Sequence, residues 1–320
     1  MLRVFFYITI CLSIAQGIAQ DTELTAVPYR PKVVEFGVET LMDYQANSYS
    51  ENFGSAKNEV ERDRLIKAKV GIPLIMKDNK LFGIQLKYYQ HRFMFDTEDN
   101  PINYDLYLHL DARKFTSTGI RTFYRQDINE NQQLSIIGGA ELKSDQIKWS
   151  RNTTKYFISG IYTWKPSSNT KIGTGFVLNQ MMQLTTFYPL FIYEKGLSPK
   201  WTLDLTLPKS AAIRHKVNSK NYLIAKTELR GWRYNLTNAI ENGNQDLTLR
   251  KADLQFSTSW EHEVHDWLWF GVDVGYTKNL RYYLANPGDR GRDALIDVKS
   301  KDAKYIKFSV FIVPPKRFYR

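Results

Sequence analysis

Residues 253–260, DLQFSTSW, alternate strictly between two kinds of side chain. One face takes Leu254, Phe256, Thr258 and Trp260, and the other takes Asp253, Gln255, Ser257 and Ser259. This period of two is typical of a β-strand with one apolar and one polar side. The same alternation recurs in at least eight other segments of the chain. The sequence therefore predicts many long, two-faced strands.

The first twenty residues are typical of a secretory signal peptide. Arg3 precedes an apolar run over residues 4–14, and Gly17 and Ala19 predict cleavage after Ala19. The run is too short for a helix that spans a bilayer, which needs about 20 residues. Cys11 is the only cysteine and would leave with this peptide. A lipid-anchored cysteine is disfavoured because the large Ile10 precedes it.

Export and alternation together predict a transmembrane barrel. Lipid offers no hydrogen bonds, so a sheet that crosses a membrane must close on itself. The mean hydropathy of -0.42 agrees with a barrel, because only every second residue faces lipid. The aromatic content of 14% favours a membrane protein with interfacial aromatic girdles. The alternative is an exported soluble β-sandwich, whose strands usually run about 5–6 residues.

We predict an all-β, transmembrane, antiparallel up-and-down barrel of about 14 strands, within a range of 12 to 16, in a bacterial outer membrane. The predicted organisation is a signal peptide over residues 1–19, a periplasmic N-terminal segment over residues 20–32 and a barrel over residues 33–320. Short turns are predicted at 77–80, 166–169, 196–199, 218–220 and 265–266, and polar loops at 45–61, 95–103 and 236–246. Residues 104–126 fit either two short strands or one crossing with an extension, and an even strand count favours one crossing.

The predicted inner faces carry equal numbers of cations and anions. The cations are Lys67, Lys69, Lys87, Lys226, Arg230, Lys251 and Lys307, and the anions are Glu35, Glu39, Asp204, Glu228, Asp253, Glu261 and Asp273. Such a near-neutral lumen fits passive or gated passage of small solutes. It also fits a network of cross-strand ion pairs that fills a narrow, non-conducting structural or surface-interaction barrel, because 12 to 14 strands lie between a filled interior and an open channel.

Other chemistries find little support in the residues. His262 and His265 are three apart in a predicted strand, whereas the zinc-protease motif needs histidines four apart on a helix. The predicted membrane-depth serines point inward and no G-x-S-x-G turn occurs, so we expect no enzyme, although an outer-membrane lipid-modifying enzyme is a further alternative. The net charge of +11 is scattered, and export argues against nucleic acid. Residues 286–293, NPGDRGRD, predict a loop rather than a calcium site. No cofactor or metal is expected.

The expected partners follow from the class of protein. They are outer-membrane lipids and, during biogenesis, periplasmic chaperones and the barrel-assembly machinery. Phe318 and Tyr319 lie beside the final residue, where barrels of this class often carry an aromatic signal for assembly.

A group of segments carries a resemblance to a known family. Tyr188 and Pro189 are followed by a Trp-led strand over residues 201–208, WTLDLTLP, and by the basic segment at 213–216, IRHK. Over residues 119–236 the chain resembles an outer-membrane β-barrel family of unknown function from Gram-negative bacteria. The resemblance implies fold and location, and it implies no catalytic residues.

Overall fold

The computed structural model describes residues 31–52, 54–96, 110–111, 113–240 and 245–315. Within them the chain forms sixteen strands and one 3-10 helix, Gly291–Asp293. The first eight strands are β1 Val34–Leu41, β2 Tyr44–Ser50, β3 Gly54–Lys77, β4 Lys80–Phe95, β5 Lys114–Asn129, β6 Gln132–Ser144, β7 Thr154–Ser167 and β8 Thr170–Met181. The others are β9 Leu184–Ser198, β10 Trp201–Leu207, β11 Ser210–Lys216, β12 Asn221–Ile240, β13 Gln245–His265, β14 Leu268–Ala285, β15 Ile296–Ser300 and β16 Ala303–Ile312.

In these ranges no helix is long and apolar enough to cross a membrane. The predicted signal peptide at residues 1–19 and the terminal aromatics Phe318 and Tyr319 lie outside the described residues.

Fourteen strands of the described chain close into a ring. Each strand from β3 to β14 pairs with its neighbour, β14 pairs with β16, and β1 pairs with both β16 and β3, always antiparallel. Two short strands extend the ring at one end: β2 continues β1 after a break at 42–43, and β15 continues β16 before a break at 301–302. The prediction of a barrel with about 14 strands is confirmed, and a two-layer sandwich is excluded because the ring has no open edge.

The two ends of the barrel differ. At the end that carries the start of β1 and the end of β16, which we call the turn end, consecutive strands meet in short turns such as Asp78–Asn79 between paired Lys77 and Lys80. At the opposite end, the loop end, longer connections occur at 96–113, 145–153 and 286–295. The predicted turn at 196–199 is wrong by about two residues, because β9 continues to Ser198 and the turn lies at 199–200.

Several predicted loops are strands. Residues 45–50 belong to β2 and residues 54–61 to the start of β3, and β12 and β13 extend into the predicted loop at 236–246. Residues 116–118 lie inside the single strand β5, so the one-crossing interpretation is confirmed for the described part of 104–126. The strands lengthen here because side chains that point inward at the loop end are buried. On β2, for example, Tyr44, Ala46 and Ser48 are buried while their neighbours are exposed.

The predicted faces agree with the pairing register. Phe36 on β1 lies opposite Ala68 on β3 and Val310 on β16, so that apolar residues share the outer face. Phe36 is 54% exposed and Phe308 is also 54% exposed. A continuous exposed apolar surface of this kind marks contact with a membrane or another apolar phase. Aromatic side chains occur toward both ends of the outer face, as Trp164 and Tyr156 do on β7.

The interior contains two apolar clusters besides the expected polar groups. The larger cluster fills the loop end, and we call it the cap. The cap includes Tyr44, Val60, Phe93, Phe115, Tyr234, Leu236, Leu247, Leu249, Leu284 and Ile296. A smaller cluster at the turn end consists of Trp269, Phe311 and Val313. The lumen is therefore apolar and filled at the loop end, which the sequence analysis did not predict.

Candidate functional site

The centre of the lumen is crossed by an ion-pair network on Glu39. This buried carboxylate on β1 accepts a hydrogen bond of 2.7 Å from Lys67 on β3 and another from Arg230 on β12. β12 lies four strands away from β1 around the ring, so the pair with Arg230 spans the lumen. Gln255 on β13 donates a longer bond of 3.4 Å to the same carboxylate. Strands four positions apart around the ring are thus joined through one acidic side chain.

A second network lies nearer the turn end. Glu35 pairs with Lys69 at 2.9 Å and with Lys307 at 3.7 Å, and Lys307 also reaches Asp273 at 3.0 Å. Glu261 pairs with Lys32, which precedes β1, at 2.6 Å. Alternating charges along neighbouring strands therefore compensate one another, as expected for side chains that have left bulk water.

The wall formed by β4 to β7 carries a third network, around Glu141. Its carboxylate pairs with Lys87 at 2.9 Å, with Arg121 at 2.7 Å and more distantly with Lys155 at 3.9 Å. Of these four residues the sequence analysis identified only Lys87. Glu141 was missed because β6 has apolar residues on both faces, such as Ile136 and Ile137, so that alternation did not reveal which face points inward.

A fourth, fully buried cluster lies beneath the cap. Asp63 bonds to His91, accepts a bond of 3.0 Å from the Tyr44 hydroxyl and pairs with Lys251 at 3.0 Å. Lys251 also lies 3.8 Å from Asp253. Asp63 and His91 were not predicted as site residues, because Asp63 falls near the end of a predicted loop and His91 appeared isolated.

All fourteen predicted lumen charges take part in ion pairs in the described chain. The remaining three of them, Asp204, Lys226 and Glu228, pair on the wall formed by β10 to β12. Asp204 bonds to Arg214 at 2.6 Å, and Lys226 bonds to Glu228 at 2.6 Å. Because each of these charges already has an oppositely charged partner, the structure favours the ion-pair network over a row of unpaired charges along a pore.

A cavity of about 380 Å³ remains in the turn-end half of the lumen. Its lining combines Arg214, Asp204 and Glu194 on one wall with Asp273 and Lys307 on the other. Arg214 holds both acids of its wall, at 2.6 Å from Asp204 and 3.6 Å from Glu194. Such a cavity, with charges of both signs, suits a small polar or zwitterionic solute better than a purely cationic or anionic one.

The cap is anchored by a small polar group that we call the latch: Asp145, Arg113, Ser144 and Thr237. The Asp145 carboxylate bonds to Arg113 and accepts bonds of 3.1 Å from the Thr237 amide and 3.0 Å from its hydroxyl. Ser144 donates a bond of 3.2 Å to the carbonyl of Asn235 and forms an isolated bridge with this residue. The tip of β12 is thereby tied to β6 across the barrel mouth.

His262, which the sequence analysis considered as a candidate metal ligand, bonds to Asn221 at 2.8 Å and lies beside Trp260, near the turn end. In the part of the chain that the structure describes, no group of three or more His, Cys, Asp or Glu side chains could hold a metal ion.

Comparison with known proteins places the chain in a family. It belongs to the family described as "Domain of unknown function (DUF6268)", whose model matches residues 38–288. No curated protein matches the sequence.

Solved structures similar to this chain are outer-membrane barrels of low sequence identity. The NanC porin is 8% identical, with 86% of this chain and 100% of that chain covered and a TM-score of 0.36. The P. putida toluene transporter TodX is 9% identical, with 90% and 91% covered and a TM-score of 0.34. Outer membrane phospholipase A from Escherichia coli is 12% identical, with 96% and 97% covered and a TM-score of 0.33.

Proposed function

We propose that the protein is an integral outer-membrane barrel that admits small polar solutes by a gated route. The turn end would face the periplasm and the loop end the exterior, because short turns lie on the periplasmic side of such barrels. The observation that carries this proposal is a charged cavity of about 380 Å³ below a closed apolar cap. A chamber that can hold a solute therefore lies behind a barrier that would have to open for passage.

The apolar outer face supports a membrane location. On β7, Trp164 follows Tyr156 by eight positions, and both belong to the outer face. At about 3.3 Å per residue and a tilt of about 40°, these rings stand roughly 20 Å apart along the barrel axis. This separation is close to the height of about 25 Å typical of the apolar band of outer-membrane barrels.

The closed state follows from the cap and its latch. Leu236 and Leu247 are almost completely buried in the mouth, at 1% and 0% exposure, so solvent does not reach these side chains. The tip of β12 is held on the far wall mainly by the Asp145 carboxylate. In this proposal the tip of β12 and β13 is the gate, and passage requires both an outward movement of this tip and a rearrangement of the buried Asp63 cluster beneath it.

Planar bilayer recordings test the gate. We expect the wild-type protein to give rare conductance steps and Asp145→Ala to give frequent ones, because the variant removes the acceptor for Arg113 and Thr237. Conversely, a disulfide between Ser144→Cys and Asn235→Cys, which face each other in the isolated bridge, should abolish the steps until a reductant is added. Each single cysteine variant is the matched control.

The alternative function is a non-conducting structural or surface-interaction barrel. One observation favours it: every predicted lumen charge is paired in the described chain, as in a filled interior. Absence of steps from folded Asp145→Ala protein would support this alternative and refute gated passage. Neither proposed function includes a catalytic step.

A further inference from the structure

The barrel wall extends less far toward the loop end at β10 and β11 than at the neighbouring strands. β10 and β11 have only seven residues each, whereas their neighbours β9 and β12 have fifteen and twenty. β10 pairs with β9 only as far as Leu207, which lies opposite Phe191. β11 pairs with β12 only from Ser210, which lies opposite Glu228. Above this short hairpin a notch separates the upper parts of β9 and β12.

The notch contains a cavity of about 340 Å³, which we call the rim cavity. One side consists of Leu184, Thr185 and Thr186 at the start of β9. The other side is lined by the guanidinium-bearing residues Arg250, Arg281 and Arg290, together with Ala252, Tyr283 and Gly291. Three cationic side chains from two strands and a loop therefore converge on one space.

A fourth arginine adds charge beside the rim cavity. Arg233 on β12 pairs directly with Arg250 on β13 in the antiparallel ladder. Like charges that stand directly opposite each other destabilise a sheet. Arg233 is nevertheless buried, at 3% exposure, and it donates to the carbonyl of Met181 at 2.9 Å. Its Nε has no hydrogen-bond partner in the described structure.

These four arginines form no ion pair within the described residues. Arg250 donates to the Tyr283 hydroxyl at 2.8 Å, and Arg281 lies 5.1 Å from the centre of the same ring. The nearby loop acids are bonded elsewhere: Asp289 to Asn286, and Asp293 to Arg292. The fourteen predicted lumen charges are all paired, whereas these four cations at the rim have no acidic partner among the described residues.

We propose that the rim cavity binds the phosphate group of an anionic lipid of the outer leaflet. Guanidinium groups bind phosphate through paired, charge-assisted hydrogen bonds, and a bound phosphate would relieve the repulsion between Arg233 and Arg250. The site also continues into an apolar surface. On the same face of β13, Ala252, Leu254 and Phe256 follow Arg250 toward the turn end.

The apolar surface below the arginines is concave. A groove of about 550 Å³ lies on the outer wall beside the short hairpin, lined by small or apolar residues that include Ala211, Ile213, Ala225, Phe256 and Val274. Phe256 follows Arg250 by six positions, which is about 20 Å along the strand. A charged head at the rim and an acyl chain in this groove match the two ends of a phospholipid or phosphorylated glycolipid.

Binding of bis-phosphorylated lipid A to the purified protein in neutral detergent micelles, measured by microscale thermophoresis, tests this site. We expect the double variant Arg250→Gln and Arg281→Gln to weaken binding by about tenfold for each arginine removed. Arg292→Gln is the control, because Arg292 lies in the loop that carries Arg290, pairs with Asp293 and does not line the cavity. It should bind as the wild type does.

A second variant keeps every charge. An added Cβ at Gly291 would overlap the guanidinium of Arg281, so Gly291→Ala should displace that group and weaken binding severalfold while the barrel stays folded. Lipid A without its phosphates should not bind. Equal binding of this dephosphorylated lipid, or unchanged affinity of both variants, would overturn the proposal. Displacement of lipid A by an equal concentration of inorganic phosphate would also overturn it, because the site would then take a free anion.

Discussion

Replacing Glu39 with glutamine tests whether the central network holds the barrel walls together. The side chains of Glu39 and Lys67 are only 3% and 7% exposed, and Lys67 has no other ion pair in the described structure. Removing one partner of a buried pair costs about 3–5 kcal/mol, because the other charge stays buried. Arg230 retains Glu228 at 3.6 Å, so we expect a value near the lower limit, about 3 kcal/mol.

The assay is urea unfolding of the barrel in lipid vesicles, followed by tryptophan fluorescence. With a slope of about 1–3 kcal/mol per molar urea, Glu39→Gln should lower the midpoint by at least about 1 M. Asp293→Asn is the control, since the Arg292–Asp293 pair is exposed and should contribute about 0–1 kcal/mol. Adding Lys67→Met should recover part of the loss. An unchanged midpoint for Glu39→Gln would refute the reasoning that this pair is desolvated.

Two further substitutions test the outer face and the packing of the wall. Phe308→Lys should cost about 2–4 kcal/mol in vesicles if this exposed position faces hydrocarbon, whereas Tyr49→Lys on β2 above the band should cost little; equal urea midpoints would contradict a lipid contact at Phe308. Gly275→Ala should destabilise by about 1–3 kcal/mol, because its Cβ would overlap the carbonyl oxygen of Phe256. Gly231→Ala, with open space around its Cβ, should leave the midpoint unchanged.

The inward and outward faces of the strands at membrane depth could be predicted from the alternation of side chains alone. Lipid fixes one face as apolar, and each strand that obeys this rule reveals its own inward side, as β1 does at Glu35 and Phe36 and as β13 does at Asp253 and Leu254. Ion pairs between charges on distant strands could not be predicted from alternation. Arg230 meets Glu39 across the lumen through the shape of the closed ring, and nothing in the local sequence specifies that contact.

The cap escaped prediction because the polarity of the alternation reverses at the loop end. On β13 the inward residues are polar at Asp253 and Gln255 but apolar at Leu247 and Leu249, while the outward residue changes from Phe256 to Arg250. Judged by the rule for lipid-facing strands, such a segment resembles a polar loop. Judged by the rule for a soluble protein, it is an ordinary strand with its apolar side buried.

The same reversal occurs on strands that are not neighbours of β13. β4 has Tyr88 outward at membrane depth, and above it Arg92 points outward while Phe93 and Phe95 are buried inside. β3 shows it between outward Val70 and outward Arg64. Because both rules follow from what surrounds each face, the row where they exchange marks the upper edge of the hydrocarbon. The barrel wall therefore has the side-chain pattern of a membrane protein below this row and that of a soluble protein with a buried apolar core above it. The gate proposed here belongs to the upper part.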